Sequence, residues 1–274
     1  MTKGTVYVIG NFKGGVGKTK TATMLSYVAS QHKSEKILLI DMDPQGNSTS
    51  ILAKTGNITE INKNITTGFI QGSLEDQIVP ILPNLDLIPA STNFRNLPKL
   101  LMKKFADNDE QAMFYFKQLI EPLKKNYDRI FIDVPPTISD FSDSAMLASD
   151  FCIIILQTQE LSLDGAKTYI AYMQYLADTY NNQLNVVGLV PMMLRKSGRV
   201  DKKIIDEARQ LYGGNVIDTV VTYQERLKVY DSEGIRYNKN VDGRVDMWDK
   251  KAHDVFLDVL SELDENETAL RNMI

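Results

Sequence analysis

The chain has 274 residues, 43% of them hydrophobic and 24% charged, a composition that excludes a disordered or fibrous chain and provides for one large core. A formal net charge of −4 excludes a global basic field, so any nucleic-acid surface must be local. The single cysteine, Cys152, sits in the apolar run Phe151-Cys152-Ile153-Ile154-Ile155-Leu156, which excludes an internal disulfide framework and a cysteine-based metal centre and fits a reducing cytoplasm.

The N-terminus, MTKGTVYVIG, lacks the apolar region of a signal peptide, and no apolar run approaches the length of a membrane span. Thr5 to Ile9 is a β-branched, apolar run that reads as a buried strand, and GNFKGGVGKTKTATM follows it directly. Gly14, Gly15 and Gly17 permit tight turns, and Thr21 to Ala29 continues as a helix, so the order is strand, phosphate loop, helix. In such a loop the backbone N–H groups from Lys13 through Gly14, Gly15, Val16 and Gly17 to Lys20 surround phosphate oxygens. Lys18 then reaches the β/γ oxygens and the Thr19 hydroxyl ligates Mg²⁺. Phe12 occupies the first glycine position of the usual G-x-x-x-x-G-K-[ST] pattern, and an extra lysine, Lys13, opens the loop.

Lys36 to Asp41 reads as a second strand that delivers DMDPQGNSTS at its carboxyl end, where open α/β sheets bind ligands. Asp41 and Asp43 there are placed for one to hold a Mg²⁺ shell and the other to orient water. Residues 55–84 predict short helices and loops on the rim, Leu85 to Pro89 a strand, and residues 109–126 a helix with its apolar stripe in the core. Arg129 to Asp133 is an apolar strand ending in a carboxylate and followed by Val134-Pro135-Pro136, the arrangement that places an anion beside a metal-bound water or Thr19. Strands at Phe151 to Gln157 and Val186 to Pro191, a helix over Ser162 to Tyr180 and a last strand at Val216 to Val221 complete the pattern. The fold class is α/β: one doubly wound, mostly parallel sheet of about seven or eight strands flanked by helices, with no linker dividing residues 1–274.

The segment RKSGRVDKKIIDEAR carries six cations against three anions. A helix with Ile204, Ile205, Ala208 and Leu211 inward leaves Lys202 and Lys203 outward, beside the loop residues Arg195, Lys196 and Arg199. Such a cluster would bind duplex DNA through phosphates without reading sequence. The C-terminal helix, Met247 to Leu263, has an apolar stripe and acidic outer faces, which argues for packing on the sheet and against anionic lipid.

KGGVGKT, DMDPQGN and DVPP, in this order, resemble the deviant Walker A ATPases, and from residue 5 to about 235 the motif order is similar to the ParA/Soj-type DNA partition ATPases. The resemblance implies a P-loop fold, ATP and Mg²⁺ as cofactors, and an ATP-sandwich homodimer in which Lys13 reaches the phosphates of the opposite subunit. It gives Lys13, Lys18 and Asp43 catalytic roles, with Asp43 positioning the attacking water, and it puts Thr19, Asp41 and Asp133 in the Mg²⁺ shell. It adds Arg226, in YQERLKV, to the DNA patch of Arg195, Lys196, Arg199, Lys202 and Lys203. It implies nonspecific duplex DNA and a centromere-binding partition protein, ParB-type or ribbon-helix-helix, as partners, with a cytoplasmic, nucleoid-associated location and no membrane. Lys20 departs from the threonine common after GKT in the family, and because the chain begins almost at the first strand, no N-terminal helix-turn-helix domain is expected.

The alternative is a MinD-like membrane-associated positioning ATPase, which needs a basic amphipathic C-terminal helix where this one is acidic. Nitrogenase-reductase-like and arsenite-pump-like enzymes need metal-binding cysteines that the chain lacks. An interaction protein that holds nucleotide without hydrolysing it is opposed by the presence of Asp41, Asp43 and Asp133 together.

Overall fold

The computed structural model describes residues 3–106, 108–158, 162–193, 199–239 and 241–273. Eight strands form one sheet in these residues: β1 (Thr5–Gly10), β2 (Ile37–Asp41), β3 (Val79–Leu82), β4 (Leu85–Ile88), β5 (Arg129–Asp133), β6 (Phe151–Gln157), β7 (Asn185–Met193) and β8 (Val221–Thr222), in the order β3-β4-β2-β5-β1-β6-β7-β8. All pairs are parallel except β3 with β4, an antiparallel edge hairpin in which β4 is the strand expected at Leu85 to Pro89 and β3 lies in the stretch expected to hold only short helices and loops.

Strand period alone sorts the core into two layers. Val6, Val8, Leu38, Ile40, Ile130, Ile132, Cys152 and Ile154 face one side, with α4 (Leu97–Phe105), α5 (Asp109–Ile120), α6 (Asp140–Ala148) and α7 (Ser162–Tyr180). Tyr7, Ile9, Ile37, Leu39, Phe131, Ile153 and Ile155 face the other, with α1 (Lys18–His32), α2 (Asn47–Thr55), α9 (Glu225–Glu233) and α10 (Met247–Arg271). Helices α3 (Ile65–Gln71) and α8 (Arg199–Tyr212) complete the set. Every residue of α1 from Thr21 to Ser30 is buried, so this helix is enclosed between the sheet and α10 and shows little amphipathic pattern of its own.

Two expected elements differ. Val216 to Val221 is not one continuous strand: Val216 makes an isolated bridge to Leu189, and only Val221 and Thr222 pair with Met192 and Met193. Between them the amides of Asp218 and Thr219 donate to the Glu262 carboxylate of α10 instead of to β7. The C-terminal helix also runs on to Arg271, because its carboxylates are fixed to the body of the protein. Asp264 pairs with Lys33 at 2.8 Å and Arg129 at 2.6 Å, and Glu267 accepts from Thr5, Tyr7 and Arg271. No helix among the described residues is long and apolar enough to cross a membrane.

Candidate nucleotide site

The sheet order β2-β5-β1 brings three strand ends together: Asp41 is the register partner of Asp133, and Asp133 that of Ile9, one residue before the loop. What the chain separates by 92 and 124 residues, the sheet lays side by side at its carboxyl edge.

The loop itself is built on Asn11. Its side-chain amide donates to the Ile155 carbonyl of β6 at 2.7 Å, and its Oδ1 accepts from the Lys13 amide at 2.8 Å. Phe12 stands in place of glycine because its ring packs on Tyr169, centroid to centroid 4.6 Å, and on Tyr172 at 5.5 Å, whereas the left-handed backbone falls on Gly15 (φ 72°) and Gly17 (φ 104°). Gly17 caps α1, no side chain caps the helix, and no acidic residue lies in its first turn. The positive end of α1 is therefore open to an anion.

Lys18 is buried, and its ammonium donates to the carbonyl oxygens of Asn11 at 2.9 Å and Lys13 at 3.1 Å. Burial holds its pKa below the usual lysine range, while the nearby charges of Asp133 and Asp43 oppose that shift. Thr19 lies beside the Asp133 carboxylate, and Ser48 Oγ donates to Asp133 Oδ2 at 2.7 Å. Burial raises the pKa of Asp133, with Ser48 and Thr19 beside it acting against the shift; its Oδ1 is buried with no hydrogen-bond partner.

Asp41, expected in the Mg²⁺ shell, has both carboxylate oxygens bonded to protein groups. It is fully buried: Oδ1 accepts from the Asp43 amide at 3.1 Å, and Oδ2 from both the amide and hydroxyl of Thr49 at 2.8 Å. These bonds engage both oxygens and hold the DMDPQGN turn against α2. Burial and the neighbouring Asp133 raise its pKa. Asp43 is half-buried and lines the cavity.

That cavity, about 880 Å³, is bounded by Gly15 to Lys20, by Asp43 to Gln45 and by Val134 to Thr137. A second cavity of about 200 Å³ adjoins it across Gly15 to Gly17 and is closed by Gln157, Met192 and residues 221–224. Sequence reasoning missed this second chamber, because its walls come from β6, β7 and β8. It also missed Arg95, which lines the larger cavity from a 3-10 turn (Thr92–Asn96). The loop ahead of that turn is tied to the site where the Ala90 amide donates to Thr49 Oγ1 at 2.9 Å.

The expected DNA patch is brought together only in part. Lys202 and Lys203 are exposed on α8 over buried Ile204, Ile205 and Ala208, and Lys203 pairs with Glu207 at 3.5 Å. Leu211, expected inward, is 55% exposed. Arg195, Lys196 and the side chain of Arg199 lie outside the described residues. Arg226 is committed to an ion-pair network, 2.7 Å from Asp246 and 2.9 Å from the fully buried Asp249.

Residues 4–186 match the AAA domain family AAA_31. The chain is 30% identical to the chromosome partitioning protein ParA of Myxococcus xanthus, over 85% of this chain and 80% of that one. The chain belongs to the ParA/Soj-type partition ATPases. Another relative of this partition ATPase is the sporulation initiation inhibitor protein Soj of Bacillus subtilis, 29% identical over 84% of this chain and 89% of that one. Its fold is shared with an ATP complex of a Cyanothece McdA variant, with a TM-score of 0.79 and 20% identity, covering 98% of this chain and 97% of that one.

Proposed function

We propose that this partition ATPase binds ATP between its two cavities, hydrolyses it slowly in a Mg²⁺-dependent reaction, and uses the ATP-bound homodimer to hold duplex DNA without sequence preference. The observation that carries the reading is the convergence of three groups on one cavity: the uncapped first turn of α1, the buried Lys18 ammonium, and the Asp43 carboxylate just past the end of β2. The triphosphate lies in the larger chamber and the base in the smaller.

In this reading the loop amides and Lys18 bind phosphate oxygens, Lys18 leaving the two carbonyls that now hold it. Mg²⁺ fits the donor set: the orphaned Asp133 Oδ1 needs a donor such as a metal-bound water, and Thr19 is beside it. Among the described residues no cluster of three His, Cys, Asp or Glu side chains could hold a metal alone, as suits an ion that keeps waters and substrate oxygens in its shell. Bound there, Mg²⁺ would neutralise developing phosphate charge. Asp43 orients the attacking water; Asp41, through its bonds to Asp43 and Thr49, holds that turn in place. Lys13 supplies a cation to the opposite subunit's phosphates. Lys202 and Lys203, with Arg195, Lys196 and Arg199, contact DNA phosphates, and a centromere-binding partition protein stimulates hydrolysis and releases the dimer at the nucleoid.

Phosphate release tests the chemistry. Wild type with ATP and Mg²⁺ turns over, chelation of Mg²⁺ stops it, and Asp43→Ala retains ATP while losing about a hundredfold or more in rate. Equal rates in wild type and Asp43→Ala would remove Asp43 from the mechanism.

A further inference from the structure

Lys20 and Asp231 stand where the two cavities meet, and both side chains line both chambers. Lys20 is the third residue of α1, and Asp231 lies near the end of α9. The Lys20 ammonium reaches both Asp231 oxygens, at 2.8 and 2.7 Å, and also donates to the Leu227 carbonyl of the same helix. The lysine side chain is 20% exposed and the aspartate 48%.

We propose that Lys20 and Asp231 form an exchangeable ion pair: Lys20 holds α9 in the free protein, and a nucleotide phosphate takes Lys20 over and releases α9. This rests on the nucleotide reading above. Phosphates at the amides of the first turn of α1 lie within reach of a lysine on that same turn, and they offer its ammonium a second anion. Asp231, left alone at the rim of a site for a polyanion, opposes nucleotide by like-charge repulsion; paired, it does not. Lys20 is thus a phosphate-binding residue whose charge is balanced by Asp231 until nucleotide arrives.

The exchange extends beyond the pair. Lys54, in the last turn of α2, donates to the Asp231 carbonyl at 3.1 Å. Just past α9, the Ile235 amide donates to Thr55 Oγ1 at 2.8 Å, and Arg236 donates to the Thr55 and Lys54 carbonyls at 2.7 and 2.8 Å. Helix α9 therefore links the first turn of the loop helix to the end of α2, the helix that starts directly after the Asp43 turn. Loosening one end of α9 on binding alters the support of the other.

The test is ADP binding by calorimetry for wild type, Lys20→Gln, Asp231→Asn and the double variant, with backbone hydrogen exchange over residues 225–233. Asp231→Asn removes the competitor and the repulsion together, so ADP binds roughly fivefold more tightly, and the gain shrinks with added salt. Lys20→Gln binds roughly tenfold more weakly, and the double variant recovers part of that loss. ADP raises exchange over residues 225–233 in wild type, and Asp231→Asn shows the raised level before ADP is added. If wild type binds ADP but Asp231→Asn binds it equally or more weakly, the exchange is overturned and the nucleotide reading stands. If wild type takes up no ADP, the nucleotide reading itself falls and the exchange with it.

Discussion

Gly17→Ala separates two demands that the loop makes on one residue. The backbone at Gly17 has φ 104°, a region that costs an L-residue about 1–2 kcal/mol. An added Cβ would also lie 2.5 Å from Met192 Sδ and 2.8 Å from Met192 Cε, so the methionine must repack at about 1 kcal/mol or more. Together the substitution costs about 2–4 kcal/mol, which for a domain of this size lowers the melting temperature by roughly 5–10 °C. Thermal unfolding of Gly17→Ala, Met192→Ala and the double variant, all without nucleotide, reads the two parts. Met192→Ala returns only the steric part, leaving a backbone cost that no change at residue 192 recovers. A Gly17→Ala protein that melts with wild type, or one that Met192→Ala restores completely, would refute the left-handed cap.

Arg226→Ala leaves the buried Asp249 carboxylate without its guanidinium and costs about 3 kcal/mol in urea unfolding, whereas Lys203→Ala leaves the midpoint unchanged; equal midpoints would mean that the Arg226 network contributes nothing. Burial, with His32 beside it at 2.9 Å, lowers the His253 pKa from 6.5 to about 4. Between those values the unfolded chain binds a proton that the folded one refuses, so the stability is whole above the unfolded pKa and falls with pH through the window. The loss is about 2 kcal/mol from pH 7 to pH 5. Urea unfolding at the two pH values shows this slope in wild type and a flatter one in His253→Gln; parallel slopes would contradict it.

The sheet and the edge that bears the candidate site were legible because each strand beside that site is an apolar run ending in a motif: Ile9 before the loop, Asp41 and Asp133 at the last positions of β2 and β5. Sequence order does not disclose strand order, and so the adjacency of those ends is a product of the fold. Residues that work through distant partners left no local signal. Lys20 reads as a departure from a loop pattern until Asp231 arrives from 211 residues away. Asp41 reads as a group of the Mg²⁺ shell, and nothing local in the sequence discloses the bonds that its oxygens accept from Thr49 and the Asp43 amide. The last turns of α10 carry few apolar residues, and their helicity is sustained by ion pairs to Lys33 and Arg129 that periodicity cannot reveal. Arg226 matched a cationic pattern, while its two carboxylate partners lie 20 and 23 residues further along the chain.

Binding of a random-sequence DNA duplex over a salt series, with ATP, with ADP and without nucleotide, in wild type and Lys18→Ala, tests the coupling of nucleotide to DNA most directly. The account predicts binding that requires ATP, weakens steeply with salt and is lost in Lys18→Ala. Binding that is absent in every nucleotide state, or that persists unchanged in Lys18→Ala, would contradict it.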